Sequence, residues 1–139
     1  QMLVASSMGA TAFQKGLGGM HAISHSLGAV FNAHHGLLNA ILMPYVLKAN
    51  QAAIDTRISR LSRYLGFGNT DFETFLEWVL EFREQLEIPH TFAALHIDEK
   101  HEDKVGVMAE QDPCAAGNPI AFSAQEYAAI FRNAVSGTL

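Results

Sequence analysis

"HAISHSLGAVFNAHHG", residues 21–36, places four of the chain's seven histidines in sixteen residues that contain no Lys, Arg, Asp or Glu. His21 and His25 stand four apart, so on a helix their rings project from one face within reach of a common point. His35 follows ten residues later with Gly36 behind it. That is the pattern of a helix that has ended, after which a loop can return the third ring to the same face. Neutral imidazole ligates zinc and ferrous iron well. No carboxylate occurs in the first fifty residues, so a complete metal site needs a ligand from the distal acids, from another chain or from residues outside this sequence. The residues alone leave a second reading open, in which the rings are buried and hydrogen-bonded. It requires partners for four imidazoles, and only Ser24, Ser26 and Asn32 lie nearby in sequence.

Outward from this stretch, the periodicity predicts helices throughout. Residues 2–14 and 20–32 read as helical, with "GLGG" at 16–19 as the break between them, and "GLLNAILMPYVLKAN" as a largely buried helix that Pro44 kinks or ends. "GLGGMH" is a weak imitation of a phosphate-binding turn and reads better as a helix breaker, since no strand precedes it. Ile54, Ile58, Leu61 and Leu65 repeat at helical spacing before Gly66, a C-terminal cap. "TDFE" offers Thr70 and Glu73 as a capping box. Behind it, Phe72, Phe75, Leu76, Val79, Leu80 and Leu86 form an apolar stripe opposite Glu73, Glu77, Glu81 and Glu84. Pro89 closes that helix, and a charged segment with a short helix runs to Pro113. "SAQE" then provides a second capping box, Ser123 with Glu126, for a last helix that turns Tyr127, Ile130, Phe131 and Val135 inward and stops at Gly137. No strand with convincing alternation appears, so the fold class is all-α, a helical bundle.

With 139 residues, 49% hydrophobic and 17% charged, the chain is one domain able to bury a core. Its charge is lopsided: Lys15 and Lys48 are the only charged residues among the first fifty, and all fourteen acids follow from Asp55 onward. The first third therefore reads as interior or site and the rest as a solvated shell. A net charge of -5 without a basic stripe argues against nucleic acid as a partner. The uncharged stretch 16–47 is broken by histidines, glycines and Pro44, too short in its clean runs to span a membrane. Cys114, the single cysteine, excludes an internal disulfide and fits a reducing cytoplasm. It reads as a packed small residue rather than a nucleophile. His90, His96 and His101 fall in the acidic shell and are expected to face solvent. The start at Gln1, followed by the uncapped apolar run "MLVASSMGATAFQKG", suggests a piece of a longer polypeptide; Met2 leaves the alternative of a residue added before a true start.

"MGATAFQKGLGGMHAISHSLGAVFNAHHGLLNAILMPYVLKAN", residues 8–50, resembles without gaps the signature region of the iron-containing, group III alcohol dehydrogenases: a glycine-rich turn, His-Ala-x-x-His-x-Leu-Gly, then His-Gly followed by Asn-Ala-x-Leu-x-Pro. "AEQDPCAAGNP", residues 109–119, is similar to the family's Asp-x-x-x-x-x-Asn-Pro loop. Ser26 departs from the pattern, where many relatives have proline. The resemblance implies that residues 1–139 are the all-helical C-terminal metal-binding domain of a two-domain protein, with the N-terminal dinucleotide-binding domain absent from this chain. It implies that His21 and His35 ligate Fe(2+), or alternatively Zn(2+), together with an upstream Asp and His, and that His34 is not a ligand. His25 is the implied catalytic residue, helping to move a proton.

The function so implied is hydride transfer between a primary or secondary alcohol and NAD or NADP, giving the aldehyde or ketone, with the metal as Lewis acid on the alcohol oxygen. The nucleotide would bind through the absent domain, and these residues alone are expected to be inactive. Two alternatives stand beside it: a freestanding helical binding or assembly module that has lost the chemistry, and a metal-free relative. Retention of His21, His25 and His35 together favours the dehydrogenase. A face that normally lines the cleft between domains would be open here, and a homo-oligomer is expected from it.

Overall fold

In the computed structural model, which describes residues 1–139, the chain forms helices α1 (Met2–Ala12), α2 (Gly19–Phe31), α3 (His35–Leu65), α4 (Phe72–Gln85), α5 (Glu102–Glu110) and α6 (Ala124–Ser136). Short 3-10 turns lie at Phe13–Lys15, Phe92–Leu95, Glu99–His101 and Pro113–Gly117, and there is no strand. The all-α bundle expected from periodicity is the observed fold. No helix is long and apolar enough to cross a membrane.

α2, α3, α5 and α6 surround the principal core, in which Ile23, Leu27, Leu38, Ile41, Leu42, Phe92, Val105, Tyr127 and Phe131 are fully buried. Each such side chain contributes about 1.5–3 kcal/mol by leaving water. A second, smaller cluster, Ile58 with Phe72, Phe75, Leu76 and Val79, joins α4 to the C-terminal half of α3. α3 runs unbroken through Pro44, where the sequence left a kink or an end open. A proline inside a helix costs about 3 kcal/mol; burial of Ile41, Leu42, Tyr45 and Val46 around it offsets that cost.

Three local expectations are corrected. α4 begins one residue later than the Thr70–Glu73 box requires: Asp71 is the cap, its carboxylate accepting from the Thr74 N–H at 2.7 Å. Aspartate is the stronger N-cap of the two. Leu86 lies beyond the last full turn of α4 and is exposed, while Arg83 is 97% buried, its guanidinium donating to the Pro89 carbonyl at 2.9 Å. The first third is not all interior: every residue of α1 is exposed, including Met2, Leu3, Val4 and Met8, as is Phe13 just after it, because no other α-helix of this chain packs on it. The Ser123–Glu126 capping box and the Gly66 and Gly137 C-caps are present as expected.

α5 packs tightly on α6, and Gly106 sets the approach. A Cβ there would run into the Ala124 carbonyl oxygen and stand 3.0 Å from Ala128 Cβ. Backbone cannot swing aside as a side chain can. Gly106→Val is therefore expected to destabilise the fold by about 1–3 kcal/mol, read as a lower urea midpoint; an unchanged midpoint would mean that the two helices separate without cost.

Candidate metal centre

Two caps bring the histidines together. Asn32 takes the left-handed conformation (φ 51°) that ends α2, its N–H donating to the Gly28 carbonyl at 2.9 Å. Asparagine tolerates this region better than most residues. Two residues later the His34 imidazole caps α3, its Nδ1 accepting from the Leu37 N–H at 3.3 Å. The reversal is so short that His35 is the first residue of α3 rather than part of a loop, which corrects the sequence expectation. His34 is occupied at the turn.

His21, His25 and His35 meet on one open face. Ring centroids lie 5.9 Å apart for His21–His25 and 5.3 Å for both His21–His35 and His25–His35, the last pair stacked. Phe13 meets the His21 ring edge to face at 6.0 Å. Asn39, one turn into α3, lies between two of them: its Nδ2 is 3.3 Å from His21 Nε2 and 3.0 Å from His35 Nε2. An amide nitrogen only donates, so both Nε2 atoms present lone pairs to one electropositive group. Ser24 Oγ, which donates to the His21 carbonyl, is 3.4 Å from His35 Nδ1 and accepts its N–H, which places the His35 proton on Nδ1, away from Asn39. Burial lowers the His21 pKa, and the neighbouring His35 and His25 rings lower it further, against the opposing pull of Asp112; the ring is thereby kept in its neutral, ligating form. The donor set fits a divalent cation bound through His21 and His35, as neutral nitrogen ligands with oriented outer hydrogen bonds. Ser24 is among the partners the sequence offered for the imidazoles; Asn39 escaped the sequence reading, although it sits four residues after His35, on its helix face, and that spacing was the available signal.

Of the distal acids, one reaches the cluster. Asp112, in the loop between α5 and α6, accepts from His25 Nδ1 at 3.0 Å through Oδ2 and from the Cys114 N–H at 2.8 Å through Oδ1. Burial works against its ionisation, but these hydrogen bonds outweigh it and hold the carboxyl below its ordinary pKa. Asp112 thus fixes the proton of His25 on Nδ1 and leaves Nε2 as the basic atom. Cys114 is half-buried, and burial followed by the Asp112 charge pushes its pKa up, so it is a thiol and a poor nucleophile. His90, His96 and His101 are exposed, far along the chain from this cluster, as expected.

The loop carrying Asp112 is pinned by its other end. Asn118 accepts from the Gly19 N–H at 3.0 Å and from Asn50 Nδ2 at 3.2 Å, and donates to Asn50 Oδ1 and the Ile120 carbonyl, both at 2.8 Å. A Cβ on Gly19 would stand 3.1 Å from Asn118 Oδ1 and 3.2 Å from the Tyr127 ring. Only glycine lets α2 start this close, two residues before His21.

Comparison with known proteins bears on this centre. The family described as Fe-containing alcohol dehydrogenase family, C-terminal, matches residues 1–135. An NADPH-dependent butanol dehydrogenase of Clostridium saccharobutylicum is 32% identical over 99% of this chain and 38% of its own length. A 4-hydroxybutyrate dehydrogenase of Cupriavidus necator is 37% identical over 91% of this chain and 35% of its own length. Among solved structures, a 1,3-propanediol oxidoreductase superposes with a TM-score of 0.79 at 30% identity, covering 85% of this chain and 32% of that one. The chain spans between about a third and two-fifths of the length of the relatives it matches.

Proposed function

The chain belongs to the Fe-containing alcohol dehydrogenase family, and from that membership we propose that it is the metal-binding helical domain of an oxidoreductase that moves a hydride between a small alcohol and NAD or NADP. The observation that carries the reading is the convergence of His21 Nε2 and His35 Nε2 on the single amide of Asn39. These two residues would hold the ion, Fe(2+) or Zn(2+), with two further ligands and the nucleotide-binding domain supplied by polypeptide beyond residues 1–139. The ion would supply Lewis acidity toward the alcohol oxygen.

The chain's own residues would do the rest from this face. Asn39 and Ser24 orient the two imidazoles. His25, with Nδ1 held by Asp112, offers Nε2 to take the proton released from the alcohol. The exposed apolar surface of α1 supports a covering partner in the assembled protein, including the expected homo-oligomer.

His25→Ala in the whole iron-loaded protein is expected to lower alcohol-dependent NAD(P) reduction by about 10²–10⁴-fold with the iron at His21 and His35 retained and with partial recovery on adding imidazole. Full turnover in His25→Ala would remove its role. No alcohol-dependent reduction of either nucleotide by the metal-loaded parent would favour the helical binding module instead.

A further inference from the structure

A second group of ligands stands on the other side of His25. One ring nitrogen of His25, one carboxylate oxygen of Asp112 and Cys114 Sγ lie within 4.8 Å of one another, the only trio of His, Cys, Asp or Glu ligand atoms so gathered in the chain. Two of the three are shielded: the Asp112 side chain is 14% exposed and Cys114 is half-buried, while His25 at 40% leaves a way in. All three hang on well-anchored backbone. His25 lies in mid-α2, and Asp112 and Cys114 flank Pro113 in a turn that the Asp112–Cys114 N–H bond closes.

We propose that His25, Asp112 and Cys114 form a second metal site, for a thiophilic divalent cation such as Zn(2+), distinct from the pair His21 and His35. The bond lengths suit it. Zinc holds nitrogen and oxygen at about 2.0–2.2 Å and sulfur at about 2.3 Å, which sets neighbouring ligand atoms about 3.3–3.7 Å apart in a tetrahedron. The His25–Asp112 distance of 3.0 Å is already near this, and Cys114 Sγ lies within 4.8 Å of a ligand atom of each. One thiolate, one imidazole and one carboxylate select zinc-like ions over Mg(2+) or Ca(2+) and leave the fourth position open. On binding, the Cys114 S–H proton is released, and the His25 proton moves from Nδ1 to Nε2. Asp112 exchanges its hydrogen bond from the ring for a bond to the ion. Occupation therefore protonates the one nitrogen of His25 that the proposed proton transfer needs, and the site is inhibitory; that last consequence rests on the proposed function, whereas binding does not.

The test uses Co(2+) alone as a probe, under reducing conditions, on the whole protein and four variants. Because Cys114 is the only cysteine in the chain, variants that keep it separate a built site from chance thiol binding. Titration is expected to raise a sulfur-to-cobalt charge-transfer band in the near ultraviolet at one equivalent beyond any cobalt held at His21 and His35. The band should vanish in Cys114→Ser, weaken at least about tenfold in affinity in His25→Ala and Asp112→Asn, and persist in His21→Ala. Absence of the band in the parent, or a band whose affinity is unchanged in both His25→Ala and Asp112→Asn, overturns the proposal. Far-ultraviolet circular dichroism of each variant excludes loss of fold as the cause.

Discussion

His21→Ala and His35→Ala are each expected to lower affinity for the proposed divalent ion by more than about 100-fold. Loss of an outer hydrogen-bond partner alone typically costs 10–100-fold, and these substitutions remove a ligand atom itself. Both Nε2 atoms face the same amide, so neither histidine can replace the other: with one gone, the remaining ring is a single donor on an open surface. Iron content of the iron-loaded protein after extensive dialysis, measured by mass spectrometry, should fall to background in both variants. His34→Ala is the matched control, since its ring is spent on the Leu37 N–H; it should shorten the start of α3 and leave metal content near that of the parent. Equal retention of metal in all three would place the ion elsewhere.

Asn118→Ala is expected to be the most damaging single substitution outside the apolar core. It deletes four hydrogen bonds at once and strands the Gly19 N–H, the Ile120 carbonyl and Oδ1 of Asn50, a side chain that is 3% exposed and keeps only the bond from its Nδ2 to the Val46 carbonyl. A buried polar group left without a partner costs about 1–3 kcal/mol, and only part of this set can recruit water. A loss of about 3–5 kcal/mol follows, at the upper end for point substitutions. The urea midpoint reads it. Metal affinity should drop as well, because the freed α2 start lies two residues from His21. Asn50→Ala combined with Asn118→Ala should cost less than the sum of the two singles, since each orphans the other's amide. A change below about 1 kcal/mol in Asn118→Ala would contradict the view that this pair fastens the site to the loop.

Helix identity was legible in the sequence wherever an apolar stripe or a cap stood alone: α6 between Ser123 and Gly137 is as expected, and so is the end of α3 at Gly66. It was less legible where two local signals competed. Thr70 and Asp71 both qualify as caps, and the choice went to the carboxylate; Pro44 signals a break, but core burial on either side of it carried the helix through. Arg83 looks like surface by residue type, and only the fold of the Pro89–His90 loop over it provides the acceptor that permits burial.

The site divides in the same way. The convergence of His21, His25 and His35 follows from helical spacing and a short turn, both readable from residues 21–36. The carboxylate that serves His25 lies 87 residues away in sequence, and its approach depends on how α5 and α6 pack against α2. A spacing argument has no access to that, although the motif from Asp112 to Pro119 marked the loop. α1 shows the reverse case, an apolar helix whose composition reads as interior and which packs on no other α-helix of the chain.

The central claim is that His21 and His35 hold one divalent ion through Nε2. Anomalous diffraction at the iron edge from crystals of the iron-loaded protein tests it most directly. The account predicts a single peak bonded to both Nε2 atoms at about 2.1 Å, with Asn39 displaced from between them. A peak bound to neither ring, or to only one of them, would contradict it.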